Sequence, residues 1–479
     1  MEPTKKIYKY AAGKDILHSA HNIGTTPGED LFSPDMTSLG QYETDEEFER
    51  VWEEIHSGEN DAYNEKLTAQ SIRNDVQAIL KQRSPQSKTR SHGGAFKKIS
   101  AVLLSLAVFY CIAVFSNIPF IEKWRTIYIE TAMTTKNHQW LATLFIPGNV
   151  IDRVVQNSSE LEELQSGLSS HWNMAGFHPK DLYLPWEKEK RKFADIYSEI
   201  DQQSFNDFMD QHPDEFINED KYLVIDKAGL KDQGTSIKTV HGDQVLAIDT
   251  ENAISIIKVT GDGYVGTLAI IKDPSRVGLG LSQGFDRIGA TVGDIAEYND
   301  AVLAINASGF YDPNGKGDGG NAYGLVISDG ELLKEALGYS FKAIGLDKNN
   351  RLNIGNYKSY SSLRDAAEFK PALIIDGEVL VTGSAGWGIQ PRTAIGQTKK
   401  GEILLLIVDG RAPGYSIGCT VGELAQIMDR YGAYQACNLD GGSSSLMYYN
   451  GREISRPSAA NKTKGRKVPN GFVVYNRTK

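Results

Sequence analysis

The sequence predicts an α+β protein whose main domain is built on a mixed, mostly antiparallel β-sheet, and three observations carry that expectation. From Lys221 onward the chain breaks into short β-rich runs, among them QVLAID, AISIIKVT, YVGTLAIIKD, AVLAINA, PALIIDG, EILLLIVDG and GFVVYN. Turn dipeptides such as Asp262-Gly263, Asp376-Gly377 and Asn450-Gly451 punctuate them, so hairpins should dominate. Two helical stretches interrupt, near 291–299 and 420–431, which places the class as α+β.

Three segments precede this domain of residues 221–479. Residues 1–98 are polar and rich in Asp, Glu, Asn and Ser, the composition of a largely disordered tail. Within it, TDEEFERVWEEIHS (44–57) opens on a Thr44/Glu47 capping box with Phe48, Val51, Trp52 and Ile55 on one helical face. A second stripe follows at Leu67, Ile72, Val76, Ile79 and Leu80. The pair reads either as a docking element for an unidentified cytoplasmic partner or as transient helices with none. Ile99–Ile121 holds no charged residue and, at about 1.5 Å per residue, can cross a hydrocarbon core of about 30 Å. It reads as one transmembrane helix, too far from the N-terminus for a cleaved signal peptide. Lys81, Arg83, Lys88, Arg90, Lys97 and Lys98 precede it without an acid between them, whereas Glu122, Lys123, Arg125 and Glu130 follow in mixed sign. The positive-inside rule then leaves the N-terminus cytoplasmic and the C-terminal domain outside the cell. Residues 122–220 carry charged helical stretches broken at Pro147, Pro179, Pro185 and Pro213, the pattern of a juxtamembrane helical stalk or a helical subdomain. LATLFIP (141–147) within it is apolar enough either to lie at the membrane surface or to pack on the main domain.

Charge and residue usage exclude several function classes. The net charge of −10 offers no basic surface for nucleic acid. Of nine histidines only His241 lies beyond residue 220, and no G-x-S-x-G elbow occurs, which disfavours a Ser-His-Asp hydrolase and a multi-histidine zinc site. No cofactor is required by the sequence, and an oxygen-ligated Ca²⁺ is compatible with it. Cys111 falls in the membrane span, and the other two cysteines, Cys419 and Cys437, are either a disulfide or buried free thiols.

Three polar signatures stand at the ends of apolar strands: RTAIG (392–396), DGR (409–411) and NLDGGSSS (438–445). EILLLIV stops at Asp409 and YQACNL stops at Asp440, so two strands are expected to end in a carboxylate. The glycines after each Asp permit close approach of a ligand, and Ser443 and Ser444 add hydroxyls and backbone N–H groups suited to an anion such as phosphate.

With the helix GCTVGELAQIM, the segment AINASGFYDPNGKGDGGNAYGLVISDGEL (304–332) and the closing RKVPNGFVVY, these motifs resemble the phosphodiester glycosidase family over roughly residues 244–477. The resemblance implies hydrolysis of the bond between a sugar's anomeric carbon and a phosphodiester oxygen, on envelope glycans or exopolysaccharide with sugar-1-phosphate links. Glycoside cleavage commonly uses two carboxylates around an oxocarbenium-like state. A phosphate departs more readily than an alkoxide, so cations that hold it matter more than strong acid catalysis. Asp440 and Asp409 are the expected carboxylates, and Arg392 and Arg411 the expected phosphate clamp. Glu423 is either a third acid of the site or simply the capping partner of Thr420, a device repeated at Thr291/Asp294. Asn306, Gly441, Gly442, Ser443 and Ser444 complete the expected substrate contacts. Ala307-Ser308 stands where the family usually has glycines. The rival functions are a non-catalytic glycan-binding or exopolysaccharide assembly module and a membrane scaffold that senses glycan.

Overall fold

A computed structural model of the chain describes residues 93–135, 138–172, 190–212, 224–225, 235–315 and 317–476. The apolar stripes expected at 44–57 and 67–80 lie outside the described residues. Residues Tyr110–Lys479 form one compact unit, and the described residues up to Phe109 lie outside it.

Helix α1 (Gly93–Phe115) carries the apolar segment. Its stretch Lys98–Phe115 has a mean hydropathy of 2.2 with 6% buried, and among the described helices it is the one long and apolar enough to cross a membrane. The expected span to Ile121 is corrected: the helix stops at Phe115, and a new one, α2 (Pro119–Met133), begins at proline. Pro119 lacks the N–H a continuing helix needs and holds Ile118 in an extended conformation (φ −66°, ψ 121°).

The β-domain consists of three sheets. The largest has nine strands in the spatial order β1 (Val224–Ile225), β2 (Gln244–Asp249), β3 (Ile254–Gly261), β4 (Tyr264–Ile271), β15 (Ile403–Val408), β14 (Arg392–Thr398), β16 (Ala433–Asn438), β12 (Ala372–Ile375) and β13 (Glu378–Val379). A five-stranded sheet runs β10 (Leu352–Gly355), β9 (Lys342–Asp347), β11 (Leu363–Phe369), β7 (Val326–Ser328) and β8 (Glu331–Lys334). The other runs β18 (Arg452–Glu453), β17 (Met447–Tyr449), β6 (Ala301–Asn306), β19 (Asn470–Tyr475) and β5 (Val277–Leu281). Every pairing between these strands is antiparallel, so the expected mixed sheet is corrected to an antiparallel one. Short hairpin turns make this the natural outcome, because parallel neighbours need long crossovers.

Strand β15 shows why the sequence run is apolar throughout. Side chains alternate across a strand; Ile403, Leu405 and Ile407 enter the core shared by the three sheets, whereas Leu404, Leu406 and Val408 meet the other layer. That layer is helix α8 (Val421–Arg430), which buries Val421, Leu424, Ala425, Ile427 and Met428. Helix α7 (Val292–Tyr298) covers the sheet of β6 and β17 in the same manner, placing Val292 and Ile295 against Ala304 and Tyr448. Cys419 and Cys437 are buried free thiols, and burial pushes both well above the usual thiol range.

The segment expected as a stalk is packed onto this domain rather than standing away from it. Helices α2, α3 (Trp140–Thr143) and α4 (Gly148–Gln165) share a small core of Ile129, Ala132, Ala142, Ile146, Ile151 and Val154. Gln165 at the end of α4 then exchanges two hydrogen bonds with the Ala372 backbone of β12 (3.0 and 3.1 Å). Helices α5 (Lys190–Ile196) and α6 (Gln202–Gln211) cover β2, with Phe193, Tyr197, Phe205 and Phe208 against Val245 and Ile248. Below them Lys272 is buried between Glu199 and Glu402, at 2.7 Å from each. Burial opposes the charge of Lys272, but the two carboxylates outweigh it and raise its pKa.

Candidate active site

The register of three strands brings the three polar signatures together. In the nine-stranded sheet β14 lies between β15 and β16, and Arg392 at its start pairs with Val408, while Ala394 pairs with Asn438. The turns carrying Asp409-Gly410-Arg411 and Asp440-Gly441-Gly442 therefore flank Arg392.

The second turn is held by backbone geometry that needs glycine. A Cβ on Gly441 would stand 2.8 Å from the Pro391 carbonyl oxygen, which accepts from the Gly442 N–H at 2.8 Å. Gly442 has φ +62°, and a Cβ there would sit 3.1 Å from Nη2 of Arg411. Asn306 fastens this turn from below. Its amide donates to the Asp440 carbonyl at 2.6 Å, and its oxygen accepts from the Thr393 hydroxyl at 2.9 Å and the Leu446 N–H at 3.3 Å.

A cavity of about 340 Å³ opens at this sheet end. Arg392, Arg411, Asp440, Gly441, Gly442, Ser443 and Ser444 line it, so most of the expected residues meet there. Asp409, Glu423 and Asn306 do not. Asp409 is buried outside the cavity, where its carboxylate accepts from the Tyr415 hydroxyl and the Arg456 N–H, both at 2.9 Å. Burial raises its pKa to about 6 against the lowering effect of those donors. Glu423 completes a capping box on Thr420, accepting from its N–H and hydroxyl at 2.8 Å each. Asn306 is fully buried and acts as a positioning residue for the Asp440 turn.

Both guanidinium groups are held by neutral oxygens, although the charge of the buried Glu130 carboxylate acts on Arg392 and favours its cationic form. Arg392 donates from Nη2 to the carbonyls of Trp387 (2.7 Å) and Gly388 (2.8 Å) and from Nε to that of Cys419 (3.2 Å). Arg411, itself at φ +56°, donates from Nη2 and Nε to the side-chain oxygen of Gln390 (2.7 and 3.2 Å). Among the described residues neither arginine forms an ion pair. Burial pulls Arg392 down to about 10, with the charge of Arg411 acting in the same direction, and burial also lowers Arg411. Both remain cationic at neutral pH. Two partly desolvated positive charges facing one cavity favour an anion, because its charge removes their mutual repulsion.

Several lining residues were not expected from the sequence. Arg466 donates to Asp312 at 2.9 Å and to Ser443 Oγ at 3.3 Å, and its guanidinium stacks 4.5 Å from the Phe310 ring centroid. Arg466 belongs to the closing RKVPNG run and Asp312 to the YDPNG run, so a residue-by-residue reading of those motifs would have found both. Asn438 also lines the cavity, and its Oδ1 has no hydrogen-bond partner. Another wall comes from the chain after α2, through Thr134, Thr135 and His138. This helix is docked by Glu130, which accepts from the Gly386 N–H, and by Thr131 Oγ1, which accepts from the Ile389 N–H, both at 2.9 Å. A Cβ on Gly388 would lie 2.4 Å from the Thr131 nitrogen, so the contact needs a glycine there. Among the described residues no group of three or more His, Cys, Asp or Glu could hold a metal ion.

An antiparallel β-domain with an acid, a glycine-rich turn and two carbonyl-held arginines around one cavity is the class of protein that this fold and site define. Residues 299–475 match the family model described as phosphodiester glycosidase. It is 30% identical over 182 residues to the SPbeta prophage-derived uncharacterized protein YomE of Bacillus subtilis, covering 35% of this chain and 27% of that protein. It is 28% identical over 191 residues to N-acetylglucosamine-1-phosphodiester alpha-N-acetylglucosaminidase of Bos taurus, covering 35% of each. The chain thus spans between about a quarter and about a third of the length of these curated relatives. Among solved structures, the zebrafish N-acetylglucosamine-1-phosphodiester alpha-N-acetylglucosaminidase catalytic domain, auto-inhibited by pro-peptide, aligns with a TM-score of 0.40 and 21% identity over 47% of this chain and 82% of that one.

Proposed function

We propose that this chain hydrolyses sugar-1-phosphodiester bonds outside the cytoplasm, on envelope glycans or exopolysaccharide, while anchored by α1 with its N-terminus in the cytoplasm. The observation that carries the reading is the pair Arg392 and Arg411, which share a cavity with Asp440 and, among the described residues, form no ion pair. The family match and the activity named for the bovine relative support it. Apolar α1 and the basic residues ahead of it support the anchor and its direction.

In this reading the arginines grip the phosphate oxygens and the serine turn adds N–H and hydroxyl donors. As the bond from the anomeric carbon to the phosphate oxygen breaks, its electron pair leaves with the phosphate and the charge is met by the guanidiniums. The Asp440 carboxylate stabilises the developing oxocarbenium charge and takes the proton of the water whose oxygen bonds to the anomeric carbon. The products are free sugar and a phosphate monoester.

The test is sugar release by the full chain in detergent or nanodiscs on a panel of sugar-1-phosphodiesters. Release from one or more substrates supports the reading. Saturable binding with no release across the panel assigns the cavity to a non-catalytic glycan-binding or assembly module instead.

A further inference from the structure

Around the C-terminal end of α1 the protein presents an aromatic surface that the described residues leave exposed. Phe120, Trp124 and Tyr128 recur every fourth residue along α2, and all three are exposed, Phe120 at 70%. Trp140, Leu144 and Phe145 lie on and just after α3 and are exposed at 54%, 66% and 56%. These rings are not loose. Tyr128 donates to the Leu141 carbonyl at 2.8 Å, which fastens the α3 segment to α2, and Phe120 meets Trp124 edge-on with centroids 6.5 Å apart.

The surface is continuous with the helix end. Tyr110, in the last two turns of α1, donates to the Phe145 carbonyl at 2.9 Å, and Val114 is buried with Ile129, Ala142 and Ile146. Large rings left in water at the end of an apolar helix are costly, whereas Trp and Tyr at headgroup depth satisfy both an apolar body and a polar edge. Glu122 and Lys123, exposed on the same helix, fit that depth and not the hydrocarbon.

We infer that the face formed by Phe120, Trp124, Tyr128, Trp140, Leu144 and Phe145 is a seat in the lipid headgroup region of the membrane that α1 crosses. The inference rests on the anchor of the proposed function. It deepens that reading: α2 supplies the seat along its length, and the chain after it supplies Thr134, Thr135 and His138 to the cavity. Seating therefore holds the cavity at the bilayer surface and directs it to sugar phosphodiesters held there.

Site-directed spin labelling of the full chain in phosphatidylcholine/phosphatidylglycerol nanodiscs tests the seat. Phe120→Cys and Leu144→Cys, with Trp140→Cys as a third position, are labelled in a Cys111→Ala background, since Cys419 and Cys437 are buried. Leu104→Cys in α1 reports the anchor, and Leu337→Cys, exposed on the β-domain, reports water. Circular dichroism and melting confirm each fold. The expected result is relaxation at 120, 140 and 144 by oxygen more than by a water-soluble nickel chelate, at a depth between positions 104 and 337. If 104 lies in lipid and the three labels behave as 337 does, the seat is overturned and the anchor stands. If 104 itself behaves as 337 does, anchor and seat fail together. Shielding of the three labels from both reagents, with spin–spin broadening between chains, assigns the face to a second copy and overturns the seat.

Discussion

Asp409-Gly410 follows β15 and Asp440-Gly441 follows β16, on either side of the same central strand, yet the two dipeptides end in different environments. Asp440 lines the cavity, and the glycines after it let the turn lie against Pro391. After Asp409 the chain continues through Arg411 into a loop that folds back, with Ala412 paired to Ser416, and delivers the Tyr415 hydroxyl to the carboxylate. The residues beyond the dipeptide, not the dipeptide itself, decide whether a strand-end acid meets ligand or is sealed. One strand-end acid faces the cavity and the other is a buried support, although the loop after Asp409 still delivers Arg411 to the same cavity.

The sharpest way to break this contrast is to neutralise each acid in turn. Asp440→Asn is nearly isosteric and keeps the turn, so the melting temperature should stay near wild type while sugar release falls by about two orders of magnitude or more. An active Asp440→Asn protein would move the chemistry away from this turn. Next in size are Arg392→Lys and Arg411→Lys, which keep charge but lose the planar fork and should each lower turnover about ten- to a thousandfold. Wild-type turnover in both would remove the clamp.

Asp409→Asn should leave turnover within a fewfold of wild type and change stability instead. Its pKa is raised by burial from 3.8 to about 6, so the folded state holds the proton more tightly than the unfolded one. That stabilisation is complete below the unfolded pKa and is lost as pH rises through about 6. The variant should therefore lack a decline on the order of 1 to 3 kcal/mol between about pH 4 and 6, read by denaturant melts across pH. A matching pH dependence in both proteins would refute the assignment. The smallest effect belongs to the wall that neither strand end supplies. Thr131→Val removes the acceptor of the Ile389 N–H and should cost about 1 kcal/mol in thermal melts, with turnover changed less than tenfold.

These contrasts separate what was legible in the sequence from what was not. The strands, the two helices with their Thr caps and the meeting of Arg392, Arg411 and Asp440 were readable, because alternation and turn dipeptides act locally. The sealing of Asp409 was not, since Tyr415 reaches it through a loop whose path depends on Gly414 and Gly418 at positive φ. A strand-end Asn reads the same whether it faces ligand or clamps a turn, and buried Asn306 clamps the Asp440 turn. Glu423 was readable in both roles, and only the hydrogen bonds to Thr420 separate them. Thr134, Thr135 and His138 left no signal at all. Helix α2 lies about 250 residues before the glycines it docks on, as in the pairing of Glu130 with Gly386 (|i−j| = 256), and no periodicity spans such a separation.

The buried triad of Glu199, Lys272 and Glu402 sets a limit on how this protein can be cut. A fragment beginning at residue 221 would keep Lys272 and Glu402, lose Glu199 at 2.7 Å, and strip Phe193, Tyr197, Phe205 and Phe208 from β2. The cut thus removes one of the two carboxylates that hold the buried Lys272 and uncovers the apolar face of β2 that those aromatic rings bury. The same cut discards the cavity wall that follows α2. A silent truncated protein would thus report on a damaged scaffold, and the smallest piece worth expressing starts ahead of Pro119, well upstream of the stretch that the family model matches.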